Sequence, residues 1–183
     1  INWLNELRKD FPHPFQRFYH LILVPTYKEA PYILTSTFNA ITATNYPKDK
    51  IFLVVGFEER DDPEKIAETK GYLKKIAGKI GGVFTSIHPY GLPGEVAGQG
   101  SNKNWMIKNA LKELKKRHIR TEDVFVTTLD ADFAIHREFL AGALHKYLSQ
   151  SASIRDKRSF TGVFLYHNNY WQTSTPMRLM ATG

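Results

Sequence analysis

Val124-Phe125-Val126-Thr127-Thr128-Leu129-Asp130-Ala131-Asp132 runs six strand-forming residues straight into a pair of carboxylates. β-Branched and aromatic residues at this density predict a strand, with the aspartates at its carboxyl end. At i and i+2 of an extended chain two side chains point the same way, so Asp130 and Asp132 are expected to face a common point. Taken alone, an Asp-x-Asp pair is common by chance, with the first residue capping a turn and the second solvated. At the mouth of a core strand the pair instead suits a hard divalent cation, Mn2+ or Mg2+, which takes oxygen ligands and completes its shell with water and phosphate oxygens.

Outward from this strand, apolar runs alternate with helical patterns. Leu21-Ile22-Leu23-Val24, ended by Pro25, and Ile51-Phe52-Leu53-Val54-Val55, closed by Gly56, read as strands covered on both faces. Leu34, Phe38 and Ile41 recur at helical spacing after Pro31, until Asn45-Tyr46-Pro47. Asp62 offers an N-cap and Pro63 a first helical position for a helix carrying Ile66, Leu73 and Ile76. Gly81-Gly82 breaks that helix, and Val83 to Ile87 reads as a third strand. Two more helices follow from Ile107, Ala110, Leu111 and Leu114, and from Leu140, Ala143, Leu144 and Tyr147. Phe160 to Tyr166 is a fifth strand candidate. This alternation predicts an α/β, Rossmann-like, mostly parallel sheet flanked by helices, with right-handed crossovers. Residues 1–18 read as a lead-in segment and 19–183 as the domain. Ligands bind such sheets outside the carboxyl ends of the strands. Thr26-Tyr27-Lys28-Glu29, Gly56 to Asp62 and Asp130-Ala131-Asp132 all fall there, and carboxylates gathered on one edge repel unless a cation or donor sits among them.

The 183 residues fit one domain with a sizeable core, and 42% hydrophobic with 23% charged residues excludes wholesale disorder. There is no cysteine, which rules out disulfides, thiolate metal sites and a cysteine nucleophile and fits a reducing compartment. No apolar run approaches the ~18 residues of a membrane span. The chain starts without Met or a signal peptide, and is expected to be part of something longer. A net charge of +7 permits attraction to phosphate, anionic lipid or nucleic acid without choosing among them.

With these residues in place, the chain resembles the family 2 glycosyltransferases of the GT-A fold. Val24-Pro25-Thr26-Tyr27-Lys28-Glu29 is similar to that family's V-P-x-Y-N-E opening, and Thr128-Leu129-Asp130-Ala131-Asp132 to its D-x-D strand end. Gly98-Gln99-Gly100-Ser101-Asn102-Lys103-Asn104-Trp105 resembles the segment that precedes the D-x-D strand. The likeness spans roughly Tyr19 to Tyr170. It implies a GT-A fold truncated on its C-terminal side. The implied activity is metal-dependent transfer of a sugar from a nucleotide-diphospho-sugar, expected to be a UDP-sugar, to a hydroxyl of a saccharide or lipid-linked acceptor with inversion. By resemblance, Pro25, Thr26, Tyr27 and Glu29 line the nucleoside pocket, Asn102 lies beside base and sugar, Asp130 touches ribose or metal, and Asp132 ligates the ion bridging the diphosphate. The family's Asp-Asp-Gly-Ser after the second strand, whose first Asp binds uracil, is replaced here by Gly56-Phe57. Glu58 or Glu59 is then expected to reach back, or the base is recognised differently.

An inverting transfer needs a carboxylate to take the acceptor proton. No Asp or Glu follows Asp156, and the Q-x-x-R-W element of processive relatives is missing, Trp171-Gln172 not matching it. The isolated chain is therefore expected to bind donor and metal but to transfer poorly, its base lying outside this sequence. The resemblance also places the domain on the cytoplasmic face of a membrane. Lys112, Lys115, Lys116, Arg117, His118 and Arg120 form a basic cluster that reads first as a solvated helix face, with anionic lipid as its functional alternative. No nucleic-acid motif accompanies the charge. Gly91-Leu92-Pro93-Gly94 matches no phosphate loop, and His167 at the fifth strand's end reads as a hydrogen-bonded strand-end residue. Trp105 and Trp171 read as packing residues. The competing readings are a sugar-phosphate nucleotidyltransferase, whose Gly-rich basic first loop is not what Pro25-Thr26-Tyr27 offers, and a non-catalytic nucleotide-sugar sensor or assembly module.

Overall fold

Tyr19–Pro25 forms β1, and its side chains divide between two cores. Ile22 and Val24 join one, Leu21 and Leu23 the other, as strand alternation requires. Ile51–Glu58 (β2) repeats the division, with Leu53, Val55 and Phe57 opposite Phe52 and Val54. Both strands are covered on both faces, which explains their unbroken apolar runs. Each such buried side chain contributes about 1.5–3 kcal/mol by leaving water. The computed structural model describes residues 1–96, 98–160 and 162. His167 and Trp171, and all of the fifth strand candidate except Phe160 and Gly162, lie outside them.

Gly82–His88 is β3 and Val124–Thr128 is β4. Among the described residues all pairings are parallel and the sheet order is β3-β2-β1-β4. Pro31–Thr42 (α2) and Pro63–Ile76 (α3) carry the chain from β1 to β2 to β3 across one face. Gln99–Lys116 (α4) then crosses on the opposite face and delivers β4 to the far side of β1. The strand order thus reverses direction between β1 and β4, and their carboxyl ends flank the crevice where open α/β sheets bind ligands. Phe139–Leu148 (α5) returns to the first face, and Ala152–Arg155 (α6) follows it.

Residues 1–18 are folded against this body. Trp3–Asp10 (α1) is capped by Asn2, whose side chain accepts from the Asn5 amide, and it buries Leu7 completely in the first core. Phe15 and Phe18 join the same core. His145 of α5 is held between the Trp3 and Phe11 rings and bonds the Asp10 carboxylate at 2.9 Å.

Two details depart from the sequence pattern. The buried stripe of α4 is Asn102, Met106, Ala110 and Leu114, while Leu111 is exposed. The stripe includes a polar residue because the Asn102 Nδ2 amide donates to the Gly56 carbonyl at 3.1 Å. Strand β2 does not close at Gly56 but continues to Glu58. Gly56 serves close approach instead: a Cβ there would lie 2.4 Å from Met106 Sδ and 2.5 Å from Asn102 Oδ1.

Candidate functional site

Three strand ends meet on one edge of the sheet, as their carboxylates required. Behind β1, Pro25 and Thr26 are buried and Tyr27 and Glu29 half-buried. One oxygen of Glu29 takes both the Thr26 hydroxyl (2.8 Å) and the Tyr27 amide (2.5 Å). Lys28 adopts φ +70°, the left-handed region that non-glycine residues seldom enter, and its amide donates to Asp61 Oδ2 at 3.0 Å. The turn is held open by two carboxylates acting on backbone N–H groups, and Pro31 then starts α2.

At the end of β2, Glu58 is 4% exposed and its carboxylate is engaged by neighbouring side chains. Its cross-strand partner in the ladder is His88, whose Nδ1 lies 3.3 Å from Glu58 Oε2. His88 Nε2 lies 2.9 Å from Glu95 Oε2, so both ring nitrogens face carboxylates. Burial works against the imidazolium, but hydrogen bonds and charge from Glu95 and Glu58 outweigh it and raise the His88 pKa above the ordinary histidine value. Glu59 accepts from the Tyr90 amide at 2.9 Å. Each glutamate at this corner thus has one carboxylate oxygen engaged within the protein. The residues that sequence reasoning missed here are His88, Glu95 and Arg60. Arg60 stacks its guanidinium 4.4 Å from the Tyr27 ring centre and 5.2 Å from that of Tyr90. Charge patterning alone could not find them, because the pairing depends on β2–β3 register.

At β4 the structure corrects the local geometry of the aspartate pair. The strand ends at Thr128, although the Leu129 amide still donates to the Leu23 carbonyl at 2.9 Å. Ala131 and Asp132 form a turn in which the Phe133 amide donates to the Asp130 carbonyl at 3.1 Å. The Thr37 hydroxyl of α2 fixes the Ala131 carbonyl at 2.7 Å and pins that turn to the body. Side-chain direction is thus set by the turn and not by strand alternation. Asp130 and Asp132 are both exposed, and neither carboxylate has a partner among the described residues. Two unengaged carboxylates on an anchored turn form an oxygen donor set that fits a hard divalent ion. Among the described residues no group of three or more ligands gathers around an ion, so water and ligand oxygens would complete its shell. Lys103, on the first turns of α4, lines the same groove as Asp130 and Thr128 and bonds Gln99 Oε1 at 3.4 Å. Asn102 lies buried on the inner side of that helix start, with Oδ1 unpartnered among the described residues.

The basic cluster at the end of α4 is partly structural. Arg117 donates to the Gly81 carbonyl at 3.1 Å and covers the Phe52 and Phe84 rings, Lys116 pairs with Glu113, and Arg120 pairs with Glu122 and Asp123. Among the described residues no helix is long and apolar enough to cross a membrane.

No protein-family model and no curated protein matches the chain. Solved structures do. S. aureus TarS aligns at 23% identity over 72% of this chain and 20% of its own, with a TM-score of 0.50. TarS 1-349 in complex with UDP aligns at 22% identity over 72% and 33%, also with a TM-score of 0.50. Mannosyltransferase PcManGT from Pyrobaculum calidifontis, in complex with GDP-Man and Mn2+, aligns at 24% identity over 75% and 34%, with the same TM-score of 0.50. The chain spans between 20% and 34% of the length of these structures. The fold is the GT-A glycosyltransferase fold.

Proposed function

We propose that the chain is the donor-binding part of a metal-dependent glycosyltransferase. It would take a sugar from a nucleotide-diphospho-sugar and pass it, with inversion, to a hydroxyl of a saccharide or lipid-linked acceptor. The observation that carries this reading is the pair of unengaged carboxylates, Asp130 and Asp132, on an anchored turn beside the β1–β4 reversal point. TarS in complex with UDP and PcManGT in complex with GDP-Man and Mn2+, which share the fold, support it.

In this reading Asp132 and Asp130 would hold Mn2+ or Mg2+, which when bound stabilises the negative charge that develops on a departing diphosphate. Tyr27 borders the nucleoside position, its amide fixed by Glu29 and its ring engaged by Lys28 and Arg60. Pro25 and Thr26 form the floor beneath it, with the Thr26 amide tied to the Gly56 carbonyl at 2.9 Å. Lys103 and the first turns of α4 bring positive charge to the phosphate side of the crevice. Uridine as the base, a place at the cytoplasmic face of a membrane and membrane contact through flanking segments belong to the same proposal. With no carboxylate after Asp156 to take the acceptor proton, the isolated chain is expected to turn over more slowly than a longer one. Equal turnover would sink that part.

Calorimetry with UDP and GDP, with and without Mn2+, tests the reading. Metal-dependent binding of either nucleotide is expected. No binding under any condition would leave an assembly module in its place.

A further inference from the structure

Arg60 is the unusual residue of the nucleotide edge. Its guanidinium lies against the faces of Tyr27 and Tyr90, at 4.4 and 5.2 Å from their centres. Among the described residues its one ion pair, to Glu58 Oε2, is a loose 3.9 Å contact, and its side chain is 34% exposed. No acceptor lies within hydrogen-bond distance of it among the described residues, so its N–H donors are available to a ligand. The aromatic faces hold the planar group in one orientation, where a lysine would be a mobile point charge.

One oxygen of each glutamate on this corner is already engaged. His88 and Arg60 face Glu58, His88 also holds Glu95, and one oxygen of Glu59 takes the Tyr90 amide. A base brought beside Tyr27 therefore meets a donor fork where the family pattern would offer a carboxylate. Donors select acceptors. Uracil presents a carbonyl oxygen at its 4-position and guanine presents one at its 6-position beside N7, the pairing that arginine reads in nucleic acids. Cytosine and adenine carry an amino group at those positions, which sets donor against donor.

We propose that Arg60 is the base-selecting residue of this site and that it admits nucleotides with a keto base, uracil or guanine, while disfavouring cytosine and adenine. The inference rests on the donor-binding reading above and names the residue that would choose the base there, admitting guanine beside uracil.

The test is calorimetric titration of the chain with UDP, GDP, CDP and ADP at fixed Mn2+. The intact chain is expected to bind UDP and GDP about tenfold or more tighter than CDP and ADP. Arg60→Ala is expected to bring all four within about threefold of one another by weakening UDP and GDP. Arg60→Gln, which keeps a single planar donor group, provides a second variant should the alanine form melt early by circular dichroism, and is expected to keep part of the preference. A uniform weakening of all four in Arg60→Ala would mark a charge that attracts phosphate without reading the base, and would overturn the proposal. So would equal binding of the four by the intact chain. Failure of every nucleotide to bind would remove the donor-binding reading itself, and this inference with it.

Discussion

At the carboxyl ends of β2 and β3, Glu58, Glu59 and Glu95 are each held by a histidine or a backbone amide within the protein. At the carboxyl end of β4, on the same sheet edge, Asp130 and Asp132 stand exposed and without partners among the described residues. Both sets are carboxylates at the same sheet edge, yet one is spent on structure and the other has no partner among the described residues. A carboxylate at a strand end therefore identifies a binding group only when its oxygens are unclaimed.

The largest expected effect separates the two regions directly. Asp132→Ala should weaken Mn2+-dependent nucleotide binding by about 100-fold, the scale of losing one of two metal-binding carboxylates, while leaving the melting temperature unchanged because the side chain is exposed. EDTA on the intact chain should reproduce the loss. Glu58→Ala should do the reverse, lowering stability by about 1–3 kcal/mol in urea unfolding as His88 loses a buried partner, without abolishing metal-dependent binding. If Glu58→Ala instead abolished binding at full stability, the division between the two regions would fail.

Gly56→Ala attacks the seam between β2 and α4. A methyl group 2.4 Å from Met106 Sδ forces the helix outward, and a loss of about 1–3 kcal/mol is expected by denaturant unfolding.

The smaller effects concern two buried histidines with opposite dependence on pH. His20 on β1 is fully buried between Tyr46 and Phe125, with neither ring nitrogen hydrogen-bonded among the described residues, and burial pulls its pKa down to about 3. The unfolded chain binds its proton near pH 6.5 and the folded chain does not. Stability therefore falls as pH drops from 6.5 toward 3, by about 1.4 kcal/mol per unit from this group. His20→Leu should flatten that slope in unfolding curves taken across pH 4–6. His88 has the opposite sign. Its raised pKa contributes stability that is present below the unfolded value and fades as pH rises through the folded one. His88→Gln should be less sensitive than the intact chain on the alkaline side, and an unchanged alkaline slope would show that the Glu58–His88–Glu95 bridge does not carry the charge.

The sheet was legible in the sequence because β1 and β2 are covered on both faces and so read as unbroken apolar runs. Pro31 and Pro63 marked the starts of α2 and α3 for the reason their rings allow, a fixed φ and no amide to satisfy. The phase of α4 was less legible, because Asn102 sits in the buried stripe where hydrophobic counting skips it, and only its bond to the Gly56 carbonyl makes that burial tolerable. The turn at Asp130 was hidden as well, since it depends on Thr37, a residue of a distant helix. The Glu58–His88–Glu95 bridge and the Arg60 stack come from register between strands and from a loop path, and neither has a local signal.

The crossover of α4 has a kinetic consequence. Strands β1, β2 and β3 pair with near neighbours along the chain, whereas β4 must return to β1, setting Val124 against Tyr19. Closing that longest loop is entropically the slowest step, so the three-stranded half is expected to collapse first and the crevice to be the last part assembled. Pulsed amide exchange during refolding would show protection at Leu53 and Val54 before Val126, and simultaneous protection would exclude this order.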